Sequence, residues 1–357
     1  MKPKALLVVV LCLLTFGVGF VFLRGPTPHI AISPETITTV GGAKITNTMI
    51  TSWIVVATMI VVVFLATRRW DMVPRGAQNV VEAIVEAFYT LVVNVGGEKN
   101  GRRFFPVVAT IFFFVLASNW LSLLPVFNVI GTVHEEEHGF VLNQTAGVNV
   151  VPFSSLGGLS APSIDEDDAD AHEQYEAAIK EGKTVGELFP FLRGPNTDLN
   201  TTVALAIISA IAVEMWGITS AGLLRYGSNF IRLGGILRGI RRFNLAAIFQ
   251  GGIDAFVGFL ELISELVRLL SFTARLFGNM FAGEVVILMF TFMTPLLVTT
   301  LIFYPLELFV GVIQAFIFAM LTLVFGVMAV SHGAHDADHK DESHDITDHL
   351  QVSETKA

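Results

Sequence analysis

Cysteine is almost absent. The 357-residue chain has one, Cys12, so no disulfide can form within it. Charge is scarce as well. Asp, Glu, Lys and Arg together make up 15% of the residues, whereas a soluble globular domain carries about 25%. Tyrosine occurs 4 times against 30 phenylalanines. There is no phosphate-binding glycine loop, no soluble catalytic domain and no internal repeat. A basic surplus is also missing. The net charge is −9, and segment 131–198 alone holds 13 acids and 3 bases, leaving the rest of the chain near neutral. A nucleic-acid partner is therefore not implied. What the chain does have is apolar surface. It is 53% hydrophobic with a mean hydropathy of +0.67, which makes it an integral membrane protein.

Uncharged runs of about 18 or more residues mark membrane spans. The first is Ala5 to Leu23, preceded by Lys2 and Lys4. It reads equally as a signal peptide or as a retained helix within a segment 1–24, and 25–48 then lies outside. Further spans are Met49 to Thr67, Phe104 to about Ile130, and about Leu199 to Leu224, the last interrupted by Glu214. Two longer runs follow, Ile253 to Met293 and Pro295 to Val330. The fold class is therefore all-α, with about five to six membrane helices.

The positive-inside rule orients these spans. Segment 68–103 carries Arg68, Arg69, Arg75, Lys99, Arg102 and Arg103, and segment 225–242 carries five arginines and no acid. Both fit the inner side, with the acidic 131–198 insert outside and the 331–357 tail inside. Within 49–130, residues 77–94 alternate Val80, Val81, Ile84, Val85 and Phe88 with Gln78, Glu82 and Glu86, which predicts an amphipathic helix at the inner surface. The insert reads as extended, with a short helix near Ala169–Glu181. Its acid run Asp165–Asp168 reads as solvated loop rather than a cation site. The tail, with His332, His335, His339, His344 and His349, reads as disordered and polar rather than metal-binding, because no regular ligand spacing appears.

The domain 199–330 holds the unexpected charges. A helix over 253–293 would be about 60 Å long at 1.5 Å per residue, against a hydrocarbon core of about 30 Å. It must tilt steeply or break near Gly278. With the next run it reads as a tilted hairpin turning near Thr294-Pro295, the alternative being an ordinary pair of spans. At about 100° per residue, Glu261, Glu265, Arg268, Arg275 and Asn279 form one stripe, and Glu284 faces nearly the opposite way. Glu307 and Gln314, seven apart, share a face of the following helix. An arginine at the centre of a membrane helix costs at least about 2.5–3.5 kcal/mol. Glu265 can pair with Arg268, but Arg275 has no acid three or four residues away. Its partner must come from another helix or another chain.

"RLFGNMFAGE" at 275–284 and "ELFVGVIQAFIFAMLT" at 307–322 resemble subunit a of the F-type ATP synthase. So do "VPRGAQNVVEA" at 73–83, "SNWLSLLP" at 118–125 and "TDLNTTVALAI" at 197–207, in the family's order over about residues 49–330. The apolar run at 5–23 and the acidic insert at 131–190 depart from the family pattern. The resemblance implies a stator subunit of a multi-pass complex in a bacterial inner membrane, with its C-terminus cytoplasmic. Its partners would be the c-subunit ring, which the tilted hairpin would face, the b subunits of the peripheral stalk and the rest of the F1F0 complex. ATP chemistry would lie on other subunits, and no cofactor or metal is implied.

On this resemblance Arg275 matches the essential arginine that faces the ring carboxyls. Gln314 matches a glutamine beside it. Glu284 and Glu307 match positions lining the outer access route for protons or Na+, and Glu261, with Glu265 nearby, the inner one. Asn279 and Asn119 are polar matches. Two offset half-channels separated by Arg275 are implied. The competing reading is an ion-coupled secondary transporter, a class that usually shows internal repeats.

Overall fold

The computed structural model describes residues 32–68, 76–124, 127, 130–143, 149–150, 163–164, 170–180, 183–223, 226–227, 245–293 and 299–354. The apolar run 5–23, the acid run Asp165–Asp168, most of the arginine-rich segment 225–242 and the turn at Thr294-Pro295 lie outside the described residues. The chain is mostly helical. Four helical segments are long and apolar enough to cross a membrane: Asn47–Thr67, Gln78–Ser122, Leu199–Ala221 and Leu301–Ser331. Helices dominate because hydrocarbon offers no partner to a backbone N–H or C=O, so each span satisfies its own.

A hairpin of β1 (Thr36–Val40) and β2 (Ala43–Thr46) leads into α1 (Asn47–Thr67). Its turn is Gly41-Gly42, with φ of 59° and 87°. Both angles are cheap only for glycine, and this pairing suits the strand twist. α2 (Ala77–Ser122) is two helical arms divided at Gly97, whose φ of 74° and ψ of 163° are not helical. The insert contributes β3 (Ile130–Asn143), β4 (Asn149–Val150), β5 (Ser163–Ile164), α3 (Ala171–Lys180) and β6 (Lys183–Pro190). β3 pairs antiparallel with β6 from Gly131 opposite Pro190 to Asn143 opposite Lys183. The extended reading of the insert thus becomes a small sheet, and the predicted short helix is α3. α4 (Leu199–Ala221), α5 (Leu245–Met293), a π-helical turn (Thr299–Phe303) and α6 (Tyr304–Glu354) complete the chain.

Three boundaries differ from the hydropathy reading. α2 stops at Ser122, not near Ile130. Leu123 and Leu124 close tight turns onto the Trp120 and Leu121 carbonyls, and Pro125, next in sequence, brings no N–H. α5 starts earlier, at Leu245, and runs unbroken through Gly278, so its 49 residues span about 74 Å at 1.5 Å each. The expected alternative of a break near Gly278 does not occur. The tail is helical to Glu354. No proline occurs after Pro305 to stop it.

The chain divides into two compact units. The first holds the described residues within 1–68, 113–202 and 275–315. Here the start of α1 is tied down by polar side chains. The Thr48 hydroxyl donates to Asp198 Oδ2 at 2.7 Å, and Asn47 Nδ2 donates to the Pro190 carbonyl at 3.1 Å. Asp198 also caps α4 by accepting from the Asn200 amide at 2.9 Å, which satisfies one of the orphan donors of the first turn. The second unit holds those within 69–112, 203–274 and 316–357. Phe88 on the first arm of α2 stacks on Phe112 of the second at 4.4 Å. Phe104 stacks on Trp216 at 4.1 Å, and a methyl on Gly326 would come within 2.6 Å of that Trp ring. The Ser209 and Thr322 hydroxyls share a buried hydrogen bond of 2.7 Å. Small residues and hydroxyls at helix contacts are what apolar surroundings require, since lipid competes with any purely greasy contact.

Candidate ion-translocation site

In the first unit, an acid of α6 lies against the backbone of α5. Glu307 sits in the first turn of α6, where the helix N-terminus favours a negative charge. It is 7% exposed. Its carboxylate lies directly on the α5 backbone: a Cβ on Gly283 would stand 2.2–2.3 Å from the carboxyl carbon and both oxygens. Only glycine permits that approach. The next residue along α5 is Glu284. Glu284 is paired with Arg193 at 3.5 Å, with Arg193 buried and Glu284 half-buried. Arg193 also donates through Nη1 to the Ser33 carbonyl at 3.3 Å. Glu307 Oε1 has no hydrogen-bond partner among the described residues.

Asn119 is buried beside this pair of helices. It donates to the Gly311 carbonyl at 3.1 Å and accepts from Asn196 Nδ2 at 2.6 Å. Trp120 donates to the Leu308 carbonyl at 3.2 Å. The first turns of α6 are thus held by side chains of α2, at carbonyls one and four residues after Glu307. On α5, Leu276 and Met280 face inward, which leaves Arg275 half-exposed and Asn279 exposed. Gln314, in the same unit, is buried.

The second unit carries a separate ionic group. Arg268 pairs with Glu265 one turn earlier, as the i, i+3 spacing predicts. It also lies 3.9 Å from Glu214 of α4, and its guanidinium sits 4.5 Å above the Phe325 ring. Carboxylates and a ring face together offset the loss of water around a guanidinium. The Tyr226 hydroxyl hydrogen-bonds Glu214. Glu261, one turn before Glu265, is half-buried. No group of three potential metal ligands occurs among the described residues.

Four participants were not foreseen from sequence: Arg193, Asn196, Glu214 and Gly283. Arg193 had a signal. It is one of three bases in the acidic insert and stands in the apolar stretch "LFPFLRGP".

The sequence model of the family described as ATP synthase A chain matches residues 49–326. The chain belongs to that family. Relatives named ATP synthase subunit a include one from Moorella thermoacetica, 29% identical over 82% of this chain and 95% of the relative. One from Gloeobacter violaceus is 29% identical over 82% of this chain and 86% of the relative. The protein named ATP synthase subunit a 1 in Pelobacter propionicus is 29% identical over 77% and 83%. Membership makes this chain the stator subunit of the membrane sector, a multi-pass helical protein with no catalytic role in ATP chemistry. It also disfavours the secondary-transporter reading.

Proposed function

We propose that the chain passes protons, or Na+, along two access routes that meet the carboxyls of a c-subunit ring on either side of Arg275. The convergence of Glu307, Gly283, Glu284 and Arg193 carries the reading. It gathers charge where apolar helices would otherwise exclude it, on the same helix that bears Arg275. Along α5 the order is Glu261, Glu265, Arg268, then Arg275, then Glu284. The first group serves the inner route. Glu284 and Glu307 serve the outer one.

During synthesis a proton enters past Glu284 and Glu307 and neutralises a ring carboxylate, which the ring then carries away through lipid. A protonated carboxyl arriving from the other side meets Arg275. A guanidinium beside a carboxyl favours the ionised form, and arginine itself stays protonated. The proton therefore leaves by Glu265 and Glu261. The fixed charge of Arg275 also opposes a direct proton path between the routes. In this reading Gln314 hydrogen-bonds near Arg275, Asn279 contacts the ring from the exposed face, and Asn119 holds the helix bearing Glu307. The b subunits bind elsewhere on the chain, the insert lies outside the cell membrane and the C-terminus lies inside.

The test is ATP-driven proton pumping by the complete complex in vesicles. Arg275→Ala abolishes pumping while the complex still assembles, and Arg275→Lys fails or nearly fails, because an ammonium lacks the planar fork. Robust pumping by assembled Arg275→Ala complex refutes the assignment.

A further inference from the structure

The two acids at Gly283 are not equivalent. Glu284 has a buried, permanently charged neighbour in Arg193, whose side chain is 6% exposed and which is anchored a second time on the Ser33 carbonyl. Glu307 is 7% exposed and lies flat on Gly283. Arg193 also stands on a rigid support. Three residues on, Asn196 is bound to Asn119, and Asp198 is bound to Thr48. The segment that carries Arg193 is therefore fixed at its far end by buried hydrogen bonds to α2 and α1.

We propose that Arg193 is a positioning residue for ion translocation, holding the Glu284 side chain in place next along α5 from Gly283 and leaving Glu307 as the acid that exchanges protons. A carboxylate paired with an anchored guanidinium is held in one place, so its field reaches an incoming cation from a fixed point. Glu307 takes the proton from hydronium, releasing water, and returns it to the ring carboxylate. One acid sets the local field and its neighbour carries the proton. When paired carboxyls have different surroundings, their roles divide in this way. The division rests on the outer-route reading above.

The experiment uses the complete complex in inverted vesicles, with dye-reported pumping scaled to ATP hydrolysis by the same sample. Arg193→Gln lowers pumping at least about tenfold, the scale of a misplaced reacting group. Arg193→Lys, which keeps the charge, retains at least roughly a third. In a Glu284→Gln background, Arg193→Gln causes no further loss, because its target is gone. Glu307→Gln is more damaging than Glu284→Gln. Arg193→Gln alone leaves Glu284 buried without its guanidinium and can fail to assemble. The double variant removes both charges and keeps the comparison readable. Multiplicative losses in the double variant, a lysine variant as poor as glutamine, or a milder effect at Glu307 than at Glu284 overturns the proposal. Arg275→Ala, run alongside, separates the two levels. Pumping by that variant sinks the underlying reading, whereas a dead Arg275→Ala with additive Arg193 and Glu284 losses sinks only the role given to Arg193.

Discussion

Replacing Gly283 by alanine sets a methyl where the Glu307 carboxylate lies. The new Cβ would be 2.2 Å from the nearest carboxyl oxygen, and ordinary contact begins at 3.4 Å, so the carboxylate must withdraw by 1.2 Å, the difference of the two. The obstructing atoms are the end of a flexible side chain, not backbone. Rotation about the glutamate torsions can absorb the move, and the stability loss falls at the low end of the roughly 1–3 kcal/mol typical of overpacking. The functional loss is larger, because a shift of about 1 Å at a reacting group can lower a rate by about 10²-fold. Gly283→Ala complexes should therefore assemble at normal yield while proton flux through vesicles falls by between about tenfold and a hundredfold. A second change gives the room back. Glu307→Asp shortens the side chain by one carbon–carbon bond, about 1.5 Å, so Gly283→Ala with Glu307→Asp should pump faster than Gly283→Ala alone. The assay is dye quenching in vesicles energised with ATP, with subunit yield checked on the same preparation. Flux within twofold of the parent in an assembled Gly283→Ala complex would refute the reasoning, as would a double variant slower than the single.

Gly326→Ala should act in the opposite sense, as a packing lesion. Its methyl would meet the rigid Trp216 ring at 2.6 Å, and that ring is held by Phe104. Complex yield should fall, and normal yield would contradict the packing described. Topology is tested by labelling in a Cys12→Ser background. A cysteine at Ser163 should react with an impermeant thiol reagent from outside, and one at Ser228 from inside only; reversed labelling would exchange the two access routes.

Much of the architecture was legible in the residues alone. Hydropathy located the helices because a backbone in hydrocarbon must bond to itself. Helical spacing found the Glu265–Arg268 pair, since i, i+3 neighbours meet whatever surrounds the helix. The short helix of the insert was also visible. Loop arginines suggested an orientation. The length of the run showed that an upright span was impossible, although only the structure showed that the helix does not break at Gly278. Periodicity describes the faces of one helix, however, and says nothing about which residue of another helix meets them. That choice depends on register and on how closely backbones approach. Gly283 lets Glu307 reach α5. Asn119 reads the Gly311 carbonyl, Glu214 comes from α4 to Arg268, and Arg193 arrives from the far end of an acidic insert. Each contact joins residues distant in the chain, and each is specified by buried polar atoms that need partners in a medium without water. Tertiary packing alone supplies those partners, and so it alone set Arg193 against Glu284 and Gly283 against Glu307.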